Sequence, residues 1–164
     1  MEKRWATGIG YDVHRLEAGR RLVLGGVTIV HPKGLAGHSD ADVIVHAVMD
    51  ALLGAAGLPD IGTQFPNSDP TYKDASSLQL LVKVVRMINV GGWHVGNIDI
   101  TVLAEEPRLV DYRAAMIGNI AGVIGDADAV INIKATTHEG LGALGRGEGI
   151  AAMAVAQLWR EMSS

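Results

Sequence analysis

The sequence contains no cysteine and few aromatic residues. The absence of cysteine excludes disulfides, thiolate nucleophiles and cysteine-type zinc sites, but it leaves metal binding through His and Asp open. Aromatic residues make up 4% of the chain, so few side chains could stack on the bases of a single-stranded nucleic acid. A formal net charge of −4 provides no basic surface for a polyanion. We therefore expect no nucleic-acid partner.

Long hydrophobic runs are also missing. No apolar run reaches the ~18 residues that a membrane span requires, and the first twenty residues hold no hydrophobic segment typical of a signal peptide. We therefore expect a soluble, cytoplasmic protein without a membrane partner. The 164 residues are predicted to form a single domain, 1–164, whose core needs no disulfide or structural metal.

Strand and helix patterns follow one another along the chain. Gly25-Gly26 separates two aliphatic runs and predicts a hairpin after an opening strand. The first helix is predicted to have Ser39 as its N-cap, with Asp42 completing a capping box. Predicted helices cover 39–57, 76–92, 107–125 and 149–162, predicted strands cover 97–105 and 129–137, and 58–75 is predicted to be a long ordered loop or a mobile flap. The order predicts an α+β fold, a mixed sheet with helices packed on one face.

The first candidate site lies in the opening strand, where Gly8 and Gly10 precede Asp12 and His14. Side chains alternate along a strand, so Asp12 and His14 face the same side and could share a metal ion. The D-x-H pattern is also common by chance, and a solvated strand face is the alternative for this stretch taken alone. Gly8 and Gly10 lie on the same face, where we expect them to leave room for substrate or a neighbouring subunit.

The first predicted helix carries the second candidate. After its first turn, His46 and Asp50 are its only strongly polar side chains, and with Asp42 they form a narrow stripe. A buried histidine bonded to one of these aspartates would explain the stripe without any function. A helix packed on the sheet would instead bring His46 to Asp12 and His14, a His₂Asp set with the open fourth position of a catalytic zinc. Asp42 or Asp50 would then accept a hydrogen bond from His46 and fix its tautomer.

The third candidate is the glycine-rich segment 140–145, with the sequence G-L-G-A-L-G. It is not interpreted as a dinucleotide-binding fingerprint, because the chain after it is too short for the further strand and acid. Glycines nevertheless let backbone N–H groups approach phosphate oxygens. Thr136 and Thr137 add hydroxyl donors, Glu139 could hold Mg²⁺ against a phosphate, and Arg146 could bind a phosphate bidentately. A flexible turn would explain the glycines but not the polar side chains beside them.

Two other polar positions flank the first predicted helix. His38 has no structural role that the pattern predicts, and it could donate a hydrogen bond to charge that develops on a phosphate. Asp60, in the loop that follows, could accept hydrogen bonds from sugar hydroxyls, although an ordinary turn is the alternative there.

Taken together, these stretches resemble the 2-C-methyl-D-erythritol 2,4-cyclodiphosphate synthase family. The resemblance covers nearly the whole chain in order and rests on GYDVHR, GHSDADV, HAVMDALLGAAGLPDIG, FPNSDP, NIDITVLAEEP and KATT.EGLG...GRGEGIA. It implies an enzyme of the non-mevalonate isoprenoid pathway that cyclises 4-diphosphocytidyl-2-C-methyl-D-erythritol 2-phosphate and releases CMP. It also implies a homotrimer with active sites between subunits, so that zinc and cytidine are held by different chains.

The resemblance also implies roles for individual residues. The zinc ligands of the family match the His₂Asp set described above, and Glu139 matches the ligand of a second ion, Mg²⁺ or Mn²⁺. His38 and Thr137 match the groups that stabilise the transition state. The matches to substrate contacts are Ser39, Asp60, Ile61, Gly62, Phe65, Pro66, Asn67, Ser68, Asp69 and, around the cytosine, Ala104, Pro107 and Leu109, with Thr136 and Arg146 as further candidates.

Two residues depart from the family pattern near the glycine-rich loop. Ala143 stands where many members have an aromatic residue, and His138 stands where they have a small hydroxyl residue. Arg146 matches a polar residue of the central trimer cavity, in which isoprenoid diphosphates are reported to lodge in the family, so these departures concern the cavity lining. Two alternatives to the synthase stay open: a zinc phosphodiesterase that uses metal-bound water, and a non-catalytic trimeric module that binds isoprenoid diphosphates.

Overall fold

A five-stranded sheet carries the helices on one face in the computed structural model, which describes residues 2–162. The strands are β1 (Lys3–Ala18), β2 (Leu22–Leu24), β3 (Val27–Ile29), β4 (Lys33–Leu35), β5 (His94–Leu103), β6 (Val130–Thr136) and β7 (Gly149–Glu161). The helices are α1 (Val43–Ala56), α2 (Ile61–Gln64), α3 (Ser77–Val90), α4 (Arg113–Ile124) and α5 (Gly142–Gly145), with a 3₁₀ turn at Pro70–Tyr72. None of the helices within residues 2–162 has the length and apolar character that a membrane span requires.

The strand order is β4-β1-β7-β5-β6, and the sheet is mixed because β5 and β6 are parallel while the other pairs are antiparallel. The β1–β7 ladder runs from the Lys3–Glu161 pair to the Arg15–Gly149 pair. Strands β2 and β3 form the hairpin predicted around Gly25-Gly26 as a separate small sheet. The predicted α+β fold, a mixed sheet with helices on one face, is confirmed.

The prediction of a closing helix at 149–162 is wrong, because this segment forms β7 at the centre of the sheet. Ala152 and Ala154 face the helices and are buried, whereas Met153 and Val155 face the other side and are exposed. Both faces of the strand are therefore apolar, so the sequence lacks the polar alternation typical of a half-buried strand. Its alanines favour helix locally, but pairing with β1 on one side and β5 on the other overrides that preference.

Two helices begin later than the sequence predicts. Helix α1 begins at Val43 with Asp42 as its N-cap, so Ser39 is not a cap and belongs to the preceding loop. The carboxylate of Asp42 also accepts from the backbone N–H groups of Gly25 and Gly26, at 2.9 and 2.7 Å, which ties the hairpin turn to the helix start. Helix α4 begins at Arg113 and not at Pro107, which leaves 104–112 as a loop beside the end of β5.

The segment 58–75 is ordered but largely irregular. It contains the short helix α2 and the 3₁₀ turn, each capped by an aspartate at its start. The predicted long loop is therefore a chain of tight turns that runs along one side of α1.

Gly8 and Gly10 lie directly against α1. A Cβ atom on Gly10 would be 1.8 Å from the carbonyl oxygen of Ala47, and one on Gly8 would be 2.1 Å from that of Ala51. The prediction that these glycines leave room for substrate or another subunit is wrong, because the helix backbone fills that room. Their missing side chains bring the polar stripe of α1 next to the polar pair of β1.

Asp42 is fully buried, and its burial predicts a pH-dependent stability. Desolvation raises the pKa of its carboxyl to about 6, against the lowering effect of the hydrogen bonds from Gly26 and Gly25. Because the folded protein holds this proton more tightly than the unfolded chain, the free energy of unfolding should fall by ~3 kcal/mol from this group as pH rises from about 4 to about 6. A ¹³C NMR titration of the carboxyl measures the pKa, and Asp42→Asn should remove this part of the pH dependence. Titration at or below the ordinary 3.8 contradicts the prediction.

Candidate functional site

Three side chains from β1 and α1 converge at one point, which we call the triad: Asp12, His14 and His46. Oδ2 of Asp12 lies 3.0 Å from Nε2 of His14 and 2.9 Å from Nδ1 of His46. All three ligand atoms lie within 4.8 Å of one another, and within residues 2–162 no other group of three His, Cys, Asp or Glu side chains does so. Two imidazoles and a carboxylate fit a divalent metal ion and leave a fourth position for a ligand oxygen. The predicted meeting of these three residues is confirmed.

The electrostatics of the triad suit a cation. Burial alone raises the pKa of Asp12, but the hydrogen bonds from His14 and His46 outweigh burial and hold the pKa well below its ordinary value. The hydrogen bond to Asp12 raises the pKa of His14 above its ordinary value, against the effect of burial. Asp12 is therefore a carboxylate near neutral pH, and its negative charge suits a cation bound between the two imidazoles.

The ring nitrogens that point away from the triad also have partners. Nδ1 of His14 donates to the carbonyl oxygen of Ala36 at 2.6 Å, which directs Nε2 to the triad. Nε2 of His46 lies 2.9 Å from Oγ of Ser77 and 3.2 Å from Oγ of Ser39. Both imidazoles are thus held in orientation from outside the triad, as metal-binding histidines usually are.

The prediction that Asp42 or Asp50 fixes the tautomer of His46 is wrong. Asp42 binds the hairpin turn and the first turn of α1, and the carboxylate of Asp50 accepts from the N–H of Ile61 at 2.9 Å. Desolvation raises the pKa of Asp50 above its ordinary value. The partner that the sequence missed is Ser77, 31 residues from His46. Ser77 lies at the start of the predicted helix 76–92, and no spacing pattern in the sequence links it to His46.

A cavity of about 250 Å³ opens beside the triad. Of the predicted substrate and catalytic residues, those that line it are His38, Ser39, Ile61, Gly62, Phe65 and Asn67. Nε2 of His38 is buried and has no hydrogen-bond partner among the residues that the structure describes. An unpaired buried nitrogen is costly, so this atom is available to a polar ligand in the cavity.

Among the predicted substrate contacts of the segment 60–69, those that do not line this cavity are Asp60, Pro66, Ser68 and Asp69. Asp60 accepts from the N–H of Thr63 at 2.8 Å, and Asp69 accepts from that of Thr71 at 2.9 Å. These two carboxylates cap the short turns that carry the lining residues, so in this structure their direct contacts are with the backbone.

A second cavity, of about 270 Å³, lies at the far edge of the sheet. Its predicted functional residues are Ala104, Pro107, Leu109, Thr136 and Thr137. The strand register places Val13 level with Thr136, with β7 and β5 between them, a separation of about 14 Å at the usual strand spacing. Within one chain, the triad and this cavity are therefore separate sites.

The loop beyond β6 presents Glu139 to solvent. The N–H of Glu139 donates to Oγ of Thr137 at 3.2 Å, and the N–H of His138 donates to the carboxylate of Glu105 at 2.7 Å. Glu139 is a single exposed carboxylate, which suits an ion that draws most of its ligands from substrate phosphates and water. Arg146 lines a third cavity, of about 410 Å³, and its Nε lies 3.3 Å from Glu148.

The sheet face opposite the helices is apolar over β1 and β7. Ile9, Tyr11 and Val13 on β1 are 64%, 55% and 47% exposed, and they lie beside Met153 and Val155 of β7. A contiguous exposed apolar patch of this kind typically marks a protein–protein interface.

Comparison with known proteins identifies the family. The YgbB family matches residues 5–159. A 2-C-methyl-D-erythritol 2,4-cyclodiphosphate synthase of Desulfosudis oleivorans is 58% identical over 154 residues, which cover 94% of this chain and 92% of that protein. A bifunctional enzyme IspD/IspF of Desulforudis audaxviator is 57% identical over 154 residues, 94% of this chain, but the chain spans only 39% of its length.

A solved structure agrees with this assignment. IspF of Plasmodium falciparum, described as a CDP complex, has a TM-score of 0.84 and 34% sequence identity, and the match covers 96% of this chain and 97% of that one. Sequence and fold thus match over nearly the full length. The chain belongs to the YgbB family, that of the 2-C-methyl-D-erythritol 2,4-cyclodiphosphate synthases.

Proposed function

We propose that this protein is a 2-C-methyl-D-erythritol 2,4-cyclodiphosphate synthase. It cyclises 4-diphosphocytidyl-2-C-methyl-D-erythritol 2-phosphate by attack of the 2-phosphate on the β-phosphorus, which expels CMP. The observation that carries the proposal is the metal-binding triad beside a cavity, in a chain that belongs to this family. The triad holds Zn²⁺, which when bound supplies positive charge to the reacting phosphates.

The chain's own groups position the substrate and neutralise its charge. Phosphoryl transfer needs little covalent help from the protein, so the proposed reaction requires no serine or cysteine nucleophile. His38 directs its unpaired Nε2 to charge that develops on a phosphate oxygen, and Thr137 adds a hydroxyl donor. The cavity walls fold the flexible substrate so that its nucleophile and its β-phosphorus meet, which raises the effective molarity of the attack.

The nucleotide half of the substrate occupies the second cavity. The relative from Plasmodium falciparum was solved with CDP, and the loop 104–110 together with Thr136 and Thr137 surrounds a space of suitable size. Glu139, next to this cavity, would hold Mg²⁺ or Mn²⁺, and the ion would supply positive charge to the phosphates of the CDP group.

The active unit is a homotrimer with sites between subunits. Two features support this arrangement: the exposed apolar face of β1 and β7, and the separation of the triad from the nucleotide cavity within one chain. A neighbouring subunit packed on the apolar face would place its own second cavity beside the triad of the first subunit. The proposal thus accounts for both features with one interface.

The reaction itself provides the first test. The protein, incubated with Zn²⁺, Mg²⁺ and the substrate in H₂¹⁸O, should release CMP and form a cyclic diphosphate without ¹⁸O, because the nucleophile is the substrate's own phosphate. Mass spectrometry of the product measures the label. An ¹⁸O-labelled product would identify the phosphodiesterase instead, and binding of isoprenoid diphosphates without CMP release would identify the non-catalytic module.

Removal of a ligand tests the metal site. Asp12→Ala and His46→Ala should each lower zinc affinity by more than ~100-fold and abolish CMP release, while the circular dichroism spectrum is unchanged. His94→Ala is the matched control, because this histidine lies outside the triad and its side chain is 50% exposed. Metal analysis after dialysis measures retention. Full zinc retention in both triad variants would refute the assignment.

Mixed assemblies test the shared active site. Asp12→Ala and Glu139→Ala should each be inactive, and subunits of the two variants reassembled at equal ratio should recover about a quarter of the wild-type activity, since that share of interfaces pairs an intact triad with an intact glutamate. Sedimentation equilibrium should give three times the mass of the chain. A monomer, or mixed trimers without recovered activity, would contradict sites shared between subunits.

A further inference from the structure

We propose that Ser77 and Asp40 are positioning residues that hold the ring of His46 with its proton on Nε2, so that Nδ1 is kept for the metal ion. This inference rests on the proposed zinc site and extends it to two residues outside the triad and the cavity lining. The three side chains form one chain of hydrogen bonds that begins at a carboxylate and ends at the triad.

Ser77 is fully buried at the first position of α3. Its Oγ lies 2.9 Å from Nε2 of His46 on α1. Its hydroxyl donates to Oδ1 of Asp40, and its backbone N–H donates to Oδ2 of the same carboxylate at 2.9 Å. Asp40 is itself held in place, because its N–H donates to the carbonyl of Ala75 and its Oδ1 accepts from the N–H of Asp42.

The carboxylate fixes the direction of every hydrogen bond in this chain. A carboxylate only accepts, so the single hydroxyl proton of Ser77 is directed to Asp40. Oγ of Ser77 then has only lone pairs to offer His46, and Nε2 must carry a proton and donate it. A second short contact, to Oγ of Ser39 at 3.2 Å, does not fix a direction, because that hydroxyl has no carboxylate partner among the described residues.

The consequence appears at the other nitrogen of the ring. Nδ1 of His46 lies 2.9 Å from Oδ2 of Asp12, which is also an acceptor. With acceptors at both ends, the imidazole holds either two protons or one proton and one cation at Nδ1. Asp40 thereby leaves the lone pair of Nδ1 available to the metal ion, although Asp40 itself does not contact the ring.

Two variants and a control test this role by metal affinity. Ser77→Ala removes the acceptor, and Asp40→Asn keeps the size of the side chain but places an amide donor against Ser77, which favours the reversed direction. Each should weaken zinc binding by about 10–100-fold in a chelator competition, the range for groups that orient metal-binding histidines. Ser76→Ala is the control, because this neighbouring serine is exposed and makes no side-chain capping bond. It should leave the affinity unchanged.

Two further readouts separate positioning from simple support of the fold. With Co²⁺ in place of zinc, the visible spectrum of Ser77→Ala and Asp40→Asn should shift while that of Ser76→Ala should not. In ¹H–¹⁵N NMR of the metal-free protein, the Nε2–H of His46 should exchange slowly with water in the wild type and fast in Ser77→Ala.

The possible results separate the positioning role of Ser77 and Asp40 from the zinc assignment itself. An Nε2 that carries no proton in the folded wild type overturns the positioning role, as do wild-type zinc affinity and spectrum in both variants. If the wild type binds no zinc but shows the protected Nε2–H, the zinc assignment fails and the hydrogen-bond direction stands. If Ser77→Ala does not fold, Asp40→Asn and the wild-type NMR signal still give the answer.

Discussion

The direct contact between the backbones of α1 and β1 is the constraint on which the site depends. A Cβ atom on Gly10 would lie 1.8 Å from a carbonyl oxygen of the helix, so no other residue permits this approach. Because the helix lies so close, Nδ1 of His46 comes within 2.9 Å of Asp12. Metal sites tolerate deviations of about 0.2 Å in ligand distance, so a helix displaced by one methyl group would separate the ligands. The glycines of β1 therefore hold the triad together without belonging to it.

The polar stripe of α1 fixes the positions of three parts of the fold. Asp42 binds the hairpin turn, His46 completes the triad, and Asp50 binds the start of α2. Each residue lies one helical turn from the last, so a single helix sets the relative positions of the hairpin turn, the triad and the start of α2. The stripe is narrow because the rest of this helix is buried in the core.

The triad could be predicted from the sequence, whereas the groups that orient it could not. Alternation along a strand places Asp12 and His14 on one face, and an apolar helix with one histidine has to bury that histidine. The sequence pattern predicts partners for His46 along its own helix, but the structure supplies them from α3 and the loop before α1. The strand β7 is not predicted for a related reason. Its hydrogen-bonded partners, β1 and β5, lie far away in the sequence, and its two apolar faces remove the alternation that marks a strand. Its alanines meanwhile favour a helix.

The pairing of Lys3 with Glu161 places the first and last residues of the main sheet side by side. Asp12 lies nine residues along β1 from Lys3, about 30 Å away at the rise of a strand. A second domain joined before β1 or after β7 would thus emerge at the end of the sheet remote from the triad. This geometry would let one polypeptide carry a second folded unit at that end of the sheet without covering the triad; the relative of which this chain spans 39% is named a bifunctional enzyme.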